Sequence, residues 1–229
     1  MSNDNIKFEG FTPKTSEFLW ELSFNNERTW FLAHKQEFLD FVDAPMRALG
    51  EQVFSGLADA LPKRSLRLHV CRIYRDARRL HGRGPYKDHL WFTVERPHER
   101  FESVPALYFE LAPDSYSYGC GFWDAGAPAM ACLRARIEND PKTLETLARR
   151  LNRSRFTLRG EMFKRPKGDV GALLNPWYNR KNIVIGYDDN PEGVLFTPQL
   201  ADEVLDGFRF LAPYYSYLDT LSGDAPADR

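Results

Sequence analysis

The sequence contains few cysteines and no pair spaced as in a redox or metal motif. Cys71, Cys120 and Cys132 are the three cysteines of a 229-residue chain. An odd number without C-x-x-C spacing excludes a disulfide-stapled fold and zinc-finger chemistry. We therefore expect three reduced thiols and a cytoplasmic protein.

Long apolar runs are also missing. No stretch approaches the 18 or more consecutive apolar residues of a membrane helix, and the first residues have neither a basic start nor an apolar segment. The expectation is a chain without membrane association or secretory signal. The 14% aromatic content excludes a disordered chain. The length predicts a single domain over 1–229, with its core at about 8–218 and a polar tail after 221.

Familiar catalytic and cofactor motifs are missing too. The sequence has no G-x-S-x-G, no G-x-G-x-x-G and no phosphate-binding loop of the Walker type. His69, Cys71 and His89 lie near one another in the predicted strands, but their spacing does not favour zinc. The sequence thus predicts no metal and no cofactor, and it leaves any catalytic residue unknown.

What the chain does have is a segregation of charge. The formal net charge is −1, yet residues 63–100 carry a net +7 and 101–187 a net +4, while 1–62 carry −5 and 188–229 carry −7. Two interpretations remain open. The basic middle is either a patch for an anionic ligand or is neutralised by the acidic ends within the fold.

Hydrophobic spacing predicts helices at both ends and strands between them. Helices are predicted over 13–24, from Asn26 to a kink or break at Pro45, from Met46 to Leu61, after Pro128, from Asp140 to Leu151, and from Thr197-Pro198 through Leu211. Strands are predicted at 66–70, 89–95, 106–111, 115–122, 183–187 and 194–196. The short connections favour antiparallel pairing. The fold class is therefore α+β: an antiparallel sheet packed by N-terminal and C-terminal helices.

The densest group of chemically active side chains lies in 72–87. Arg72, Arg75, Arg78 and Lys87 surround Asp76 and Tyr86, and Gly82 and Gly84 separate the two halves. Arginine pairs bidentately with phosphate and carboxylate, and glycine lets backbone amides approach an anion. The structural alternative pairs Asp76 with Arg72 or Arg78 in a solvated loop.

The same residues carry a resemblance to a known family. The R-D-x-R element at 75–78 with Pro85-Tyr86-Lys87 resembles an element of the domain-of-unknown-function 2461 family. Further resemblances lie in the N-N-x-x-W-F-like segment at 25–31, the glycine–tryptophan strand end at 119–123, the helix with Leu133-Arg134, and the P-K-G turn at 166–168. The resemblance covers about 8–215 and implies a protein of unestablished activity. The loop 79–84 departs from the family pattern in its side chains.

These observations predict a basic pocket for a small anionic ligand, phosphate- or carboxylate-bearing, with or without catalysis. Its residues are Arg72, Arg75, Asp76, Arg78, Tyr86, Lys87 and Lys167, with Asp76 orienting the arginines and Arg134 as an alternative to Lys167. Asp76 and Tyr86 are the available acid–base groups. One alternative is a nucleic-acid-binding module in which Tyr74, Tyr86, Trp91 and Phe92 stack bases between the basic residues, although the isoelectric point of 6.5 disfavours it. The other alternative is a protein-interaction module. The oligomeric state is left open.

Two further positions have competing interpretations. Asn25 and Asn26 either cap and link the first two helices or donate to a pocket beside Trp30. Trp123 either packs in the core or forms a platform for a ligand. In both cases the sequence favours the structural interpretation.

Overall fold

A computed structural model describes residues 7–61, 65–76, 78, 82–98 and 103–222. The helices lie at Pro13–Phe24 (α1), Arg28–Ala33 (α2), Lys35–Phe38 (α3), Ala44–Gly56 (α4), Ala127–Asn139 (α5), Lys142–Leu151 (α6), Asn175–Tyr178 (α7) and Gln199–Asp219 (α8). A π-helical turn, Leu39–Asp43, joins α3 to α4 where Pro45 was expected to interrupt the helix. The predicted start of α1 is confirmed, with proline in its first turn.

The strands form one antiparallel sheet in the described part of the chain. They lie at Arg67–Val70 (β1), Leu90–Glu95 (β2), Ala106–Leu111 (β3), Tyr116–Phe122 (β4), Thr157–Arg159 (β5) and Ile183–Asp189 (β6). Their spatial order is β1-β2-β3-β4-β6-β5, so the first four strands form the predicted meander. This arrangement, with helices packed against the sheet, confirms the α+β class.

One face of the sheet packs against α4 and α8. Phe92 on β2 contacts Phe208 on α8 with ring centroids 6.4 Å apart, and Phe109 on β3 stacks on Phe92. In β2 buried and half-buried residues alternate, as expected when only one face meets the core. The opposite face of β2, which carries Trp91 and Thr93, is therefore only half-buried and remains available for function.

The strand predicted at 194–196 is wrong. Gly193–Phe196 is a 3-10 helix, and Gly193 has a φ of +55° that β-strands do not use. The edge of β6 is instead paired with β5, at Thr157–Arg159, which the sequence pattern did not indicate. A strand of three residues is too short to show alternation.

Asn26 is not the cap of the second helix. Glu27 occupies the N-cap position of α2. The side chain of Asn26 instead reaches a segment 60 residues away, described below. The predicted polar tail after 221 lies outside the described residues, apart from Ser222, and so do residues 77 and 79–81 of the glycine- and arginine-rich loop.

In the part of the chain that the structure describes, no helix is both long enough and apolar enough to cross a membrane.

Candidate functional site

The two halves of the predicted basic cluster lie side by side. The backbone N–H of Arg75 donates to Pro85 O at 2.8 Å, and that of Lys87 donates to Ile73 O at 2.8 Å. Tyr74 and Tyr86 form the bridge between these bonds. The segments 73–75 and 85–87 are therefore a short antiparallel pair, which we call the paired segments.

Asn26 and Phe31 fix the paired segments to the N-terminal helices. The Asn26 amide donates to Tyr86 O, and Tyr86 N–H donates to Asn26 Oδ1, both at 2.9 Å. The Tyr86 ring stacks on Phe31 with centroids 4.1 Å apart. Tyr86 is buried, which raises the pKa of its hydroxyl. Tyr86 was predicted to bind the ligand, but its position makes it a core residue.

Arg75 is occupied by the protein itself. Its Nε donates to Tyr86 O at 2.6 Å, and its Nη2 donates to Asp88 Oδ1 at 3.1 Å. The side chain is only 13% exposed. The sequence analysis placed Arg75 in the anion pocket, whereas in the structure its anionic partner is Asp88. The geometry favours a structural role for this arginine over direct ligand contact.

Asp76 pairs with Arg78, as the sequence argument allowed. The Arg78 Nη2 to Asp76 Oδ2 distance is 2.6 Å, and the backbone N–H of Arg78 donates to the same carboxylate at 3.0 Å. Arg72 and Arg78 are both exposed. The pair is a surface feature of the loop and holds Arg78 close to its own chain.

Lys87 lies at the edge of the open sheet face. Its ammonium donates to the carbonyl oxygens of Arg72 and Tyr74 and lies 4.9 Å from the centroid of the Trp91 ring. Burial lowers the pKa of Lys87, and the charges of Arg72 and Arg75 lower it further, although Cys71 opposes them. An anion placed here would relieve the repulsion among these three cations.

Lys167 does not join this cluster, contrary to the prediction of one common pocket. The β5–β6 pairing continues through the Met162–Arg180 bridge, which carries the chain away from the sheet end that holds the paired segments. Lys167 donates its backbone N–H to Asn179 beyond that bridge. Its ammonium lies 4.7 Å from the centroid of the Phe163 ring, over which Arg134 also lies.

The open face of the sheet contains a groove of about 270 Å³, which we call the sheet groove. Three of its residues come from β2 or the position before it, two from β3, and one follows β4. They are His89, Trp91, Thr93, Tyr108, Glu110 and Trp123. Register explains the convergence, because Trp91 pairs with Glu110 and Thr93 with Tyr108, and paired residues share a face.

Glycines of β4 make room for the aromatic rings. A Cβ at Gly119 would lie 2.7 Å from the Tyr108 ring, and one at Gly121 would lie 2.6 Å from the Trp123 ring. Trp123 consequently lies across Gly121, with its ring edge-on to Tyr108 at 4.9 Å between centroids. The glycine–tryptophan segment 119–123 therefore shapes the sheet groove, because its glycines leave room for the two rings.

Tyr108 forms the floor of the groove. Burial raises the pKa of its hydroxyl to about 12, and hydrogen bonding with Ser117 and the charge of Arg159 only partly oppose this. The hydroxyl therefore stays protonated near neutral pH. The hydroxyl lies over Gly186 on β6, so it is the ring of Tyr108 that contributes to the groove.

His89 is held at the groove by an acidic neighbour. Its Nδ1 lies 2.8 Å from Asp88 Oδ1, the oxygen that also accepts from Arg75. Burial by itself would raise the pKa of Asp88, but the hydrogen bond from His89 and the charge of Arg75 lower it overall. Asp88 is therefore a carboxylate at neutral pH and fixes the imidazole.

Sequence reasoning considered parts of this groove but did not assemble it. Trp91 entered as a stacking residue for nucleic acid, and Trp123 as a core residue, whereas 44% of Trp123 is exposed. Tyr108 and Glu110 were not singled out. The alternation of β2 and β3 could have placed these side chains on one face, but it does not reveal which face helices cover. Among the described residues, no three His, Cys, Asp or Glu side chains are grouped as metal ligands would be.

Comparison with known proteins supports the resemblance seen in the motifs. A search of the curated proteins finds no match. The profile of a family described as "Conserved hypothetical protein (DUF2461)" matches residues 14–217, which is most of the chain. The match includes the paired segments, the glycine–tryptophan segment and every residue of the sheet groove. The chain belongs to the domain-of-unknown-function 2461 family.

Proposed function

We propose that this protein binds a small anionic ligand that carries a flat ring. The ring lies in the sheet groove, and the anionic group meets Lys87 and Arg72 at the rim. The observation that carries the proposal is the position of Trp91, which lines the groove and lies 4.9 Å from the Lys87 ammonium. One side chain thus links an aromatic surface to a cation.

The aromatic lining supports a ring. Trp91, Trp123 and Tyr108 present faces and edges to one small volume, and flat rings stack on such surfaces with offset or edge-on geometry. A volume of about 270 Å³ lies near the low end for small-molecule sites and suits one ring system rather than a long chain.

The charge pattern supports an orientation for that ligand. Arg72 and Arg75 lie close enough to Lys87 to lower its pKa, and of these three cations only Arg75 has a hydrogen bond to a carboxylate of the described residues. Glu110 lies inside the groove and repels an anionic group there. The anion therefore belongs at the rim, and the uncharged ring belongs inside.

We propose that the protein binds this ligand, and we assign it no reaction. The described groove contains no serine, cysteine or lysine as a nucleophile, and Asp76 is paired with Arg78 outside it. A cytoplasmic location is part of the same proposal. It is supported by the three free thiols, which a reducing compartment preserves.

Calorimetry with AMP as the probe tests the proposal. We expect saturable binding by the wild type and about a five- to hundredfold loss of affinity in Trp91→Ala, since stacking contributes about 1–3 kcal/mol per base. Trp20→Ala removes a tryptophan of α1 that does not line the groove, and this variant should bind as the wild type does. Lys87→Gln should weaken AMP but not adenosine, with Lys142→Gln as the matched surface control. Equal affinity of Trp91→Ala and wild type contradicts the proposed site.

A single-stranded nucleic acid is the second candidate, because aromatic side chains on an open sheet face also stack successive bases. The two are separated by the salt dependence of binding. A strand that contacts several cations loses affinity steeply with salt, whereas a mononucleotide releases few counterions. A steep slope with an oligonucleotide and no binding of AMP would favour the nucleic-acid function. Concentration-dependent mass measurement tests the third alternative, a protein-interaction module.

A further inference from the structure

We infer that His89 presents a hydrogen-bond acceptor to the sheet groove, and that Asp88 and Arg75 are the positioning residues that keep it so. The ligand then carries an N–H or O–H donor on its ring edge. This inference rests on the proposed function and names the polar chemistry of the ligand at the same site.

The first step is the tautomer of His89. A carboxylate only accepts hydrogen bonds, so the ring nitrogen 2.8 Å from Asp88 Oδ1 carries a proton. In a neutral imidazole the other nitrogen then has a lone pair. Nε2 makes no hydrogen bond with any residue that the structure describes. The available polar atom of His89 is thus an acceptor.

The second step is the role of Arg75. Its Nη2 donates to the same oxygen of Asp88 that His89 uses, and its Nε is fixed on Tyr86 O. A fixed guanidinium holds the carboxylate, and the carboxylate holds the imidazole. This chain of contacts connects Arg75 of the R-D-x-R element and Tyr86 of the P-Y-K element to the groove without either side chain touching the ligand.

The third step is the remaining lining of the groove. Glu110 lies beside Trp91 in the strand register and is also an acceptor in its ionised form. Two acceptors at one end of an aromatic groove match a ring edge that bears amino or hydroxyl hydrogens. A ring that offers only acceptors there would leave both groups without partners on binding, which costs affinity.

The tautomer is measured without any ligand. Two-dimensional nitrogen–proton NMR at mildly alkaline pH distinguishes a protonated Nδ1 from a protonated Nε2. We expect the Nδ1–H form for His89 in the wild type, and a shift towards the Nε2–H form in Asp88→Ala. Arg75→Ala should give a mixture if Asp88 loses its fixed position. Asp206→Ala removes a carboxylate from another arginine pair, on α8, and should leave the His89 signals unchanged. An Nε2–H form in the wild type overturns the inference.

The ligand requirement is measured with two nucleotides. AMP and purine riboside 5′-monophosphate differ only in the exocyclic amine. We expect AMP to bind about five- to tenfold more tightly, the effect of one hydrogen bond. Asp88→Ala should remove most of that difference while retaining binding of both. Equal affinity of the two nucleotides for the wild type overturns the donor requirement. If neither nucleotide binds, the proposed function is wrong. The NMR measurement of the His89 tautomer then tests the inference about His89 by itself.

Discussion

At the scale of single residues, the basic side chains of 72–87 divide into those that build the structure and those that remain available. Arg75 ties Asp88 to the paired segments, and Arg78 pairs with Asp76 at the surface. The neighbouring Lys87 donates to the carbonyl oxygens of Arg72 and Tyr74, and its third N–H remains available where the ammonium faces Trp91 at the groove. Residue type alone does not separate these roles, because each arginine has the same chemistry until its neighbours are fixed.

Arg75→Ala should destabilise the protein, whereas Arg78→Ala should not measurably do so. Loss of Arg75 leaves Tyr86 O and Asp88 without a charged donor in a part-buried site, at a cost of about 1.5–3 kcal/mol in the free energy of unfolding. Arg78 is 76% exposed and is matched as the control. Urea denaturation measures both variants. Equal urea midpoints for Arg75→Ala and the wild type would contradict a structural role for Arg75 and would favour a direct contact with the ligand.

The thiols should differ in reactivity. Burial raises the pKa of Cys71 to about 11, although a backbone hydrogen bond and Lys87 oppose it, and burial also raises the pKa of Cys120. Cys132 is only half-buried. An aromatic disulfide reagent should label one thiol quickly in the native protein and three after denaturation without reductant. The fast phase should disappear in Cys132→Ser, and its persistence there would contradict this assignment.

At the scale of elements, Asn26 shows how a helix junction positions a distant segment. Its amide makes two hydrogen bonds to the main chain of Tyr86, in place of the cap expected from the sequence. A Cβ at Gly84 would collide with this amide, so the glycine allows the approach. The junction between α1 and α2 is therefore part of the support for the paired segments.

Asn26→Ala should cost more stability than Asn25→Ala. The first change leaves the part-buried N–H of Tyr86 without a partner and Tyr86 O with only the bond from Arg75, at about 1–3 kcal/mol. Asn25 donates one exposed bond to Glu21 O, so its loss should cost less than about 1 kcal/mol. Thermal and urea unfolding of the two variants provide the comparison. The reverse order would mean that the helix junction, rather than its contact with Tyr86, matters for stability.

The last helix, α8, allows a graded test of packing. Leu211 is fully buried, whereas Leu205 is half-buried against Gly56. Leu211→Ala should lower the free energy of unfolding by about 2–5 kcal/mol, and Leu205→Ala by clearly less. The apolar pattern assigns both leucines to one face, and only the structure ranks them. Equal losses in equilibrium unfolding would contradict the ranking.

At the scale of the whole molecule, the charge segregation is partly resolved by ion pairs between distant segments. Arg96 pairs with buried Asp219 at 3.1 Å, and Arg155 pairs with Glu203 at 3.0 Å. Both join the basic middle of the chain to the acidic C-terminal segment. The interpretation that the ends neutralise the middle accounts for these arginines. Arg72 and Lys87, at the rim of the sheet groove, take part in neither of these two ion pairs.

The tyrosine-rich core predicts a cooperative loss of structure at high pH. Burial raises the pKa of Tyr108 and Tyr214 to about 12, and it raises that of Tyr116 and Tyr118 as well. A hydroxyl whose pKa is higher in the folded state stabilises the fold fully below its unfolded value of 10.0, and this contribution is lost as the pH rises towards 12. Tyrosinate absorbance and far-ultraviolet circular dichroism should therefore change together. Gradual ionisation of all ten tyrosines with intact secondary structure would contradict this prediction.

The sequence by itself determined the class of the fold, most of its elements and the family. Apolar spacing is a local signal, and it located α1, β3 and β4 almost to the residue. It could not find β5 or the 3-10 turn at Gly193–Phe196, because edge pairing depends on which distant segment arrives there.

Only the tertiary structure decided where the candidate site lies. Arg75 was predicted to contact the ligand, but its partner Asp88 lies across the paired segments, and the groove that they support draws on three strands. Trp91, Tyr108 and Trp123 are ordinary aromatic residues in the sequence. They become a binding surface because helices cover one face of the sheet and glycines lie beneath the rings on the other, and neither fact is encoded in local spacing.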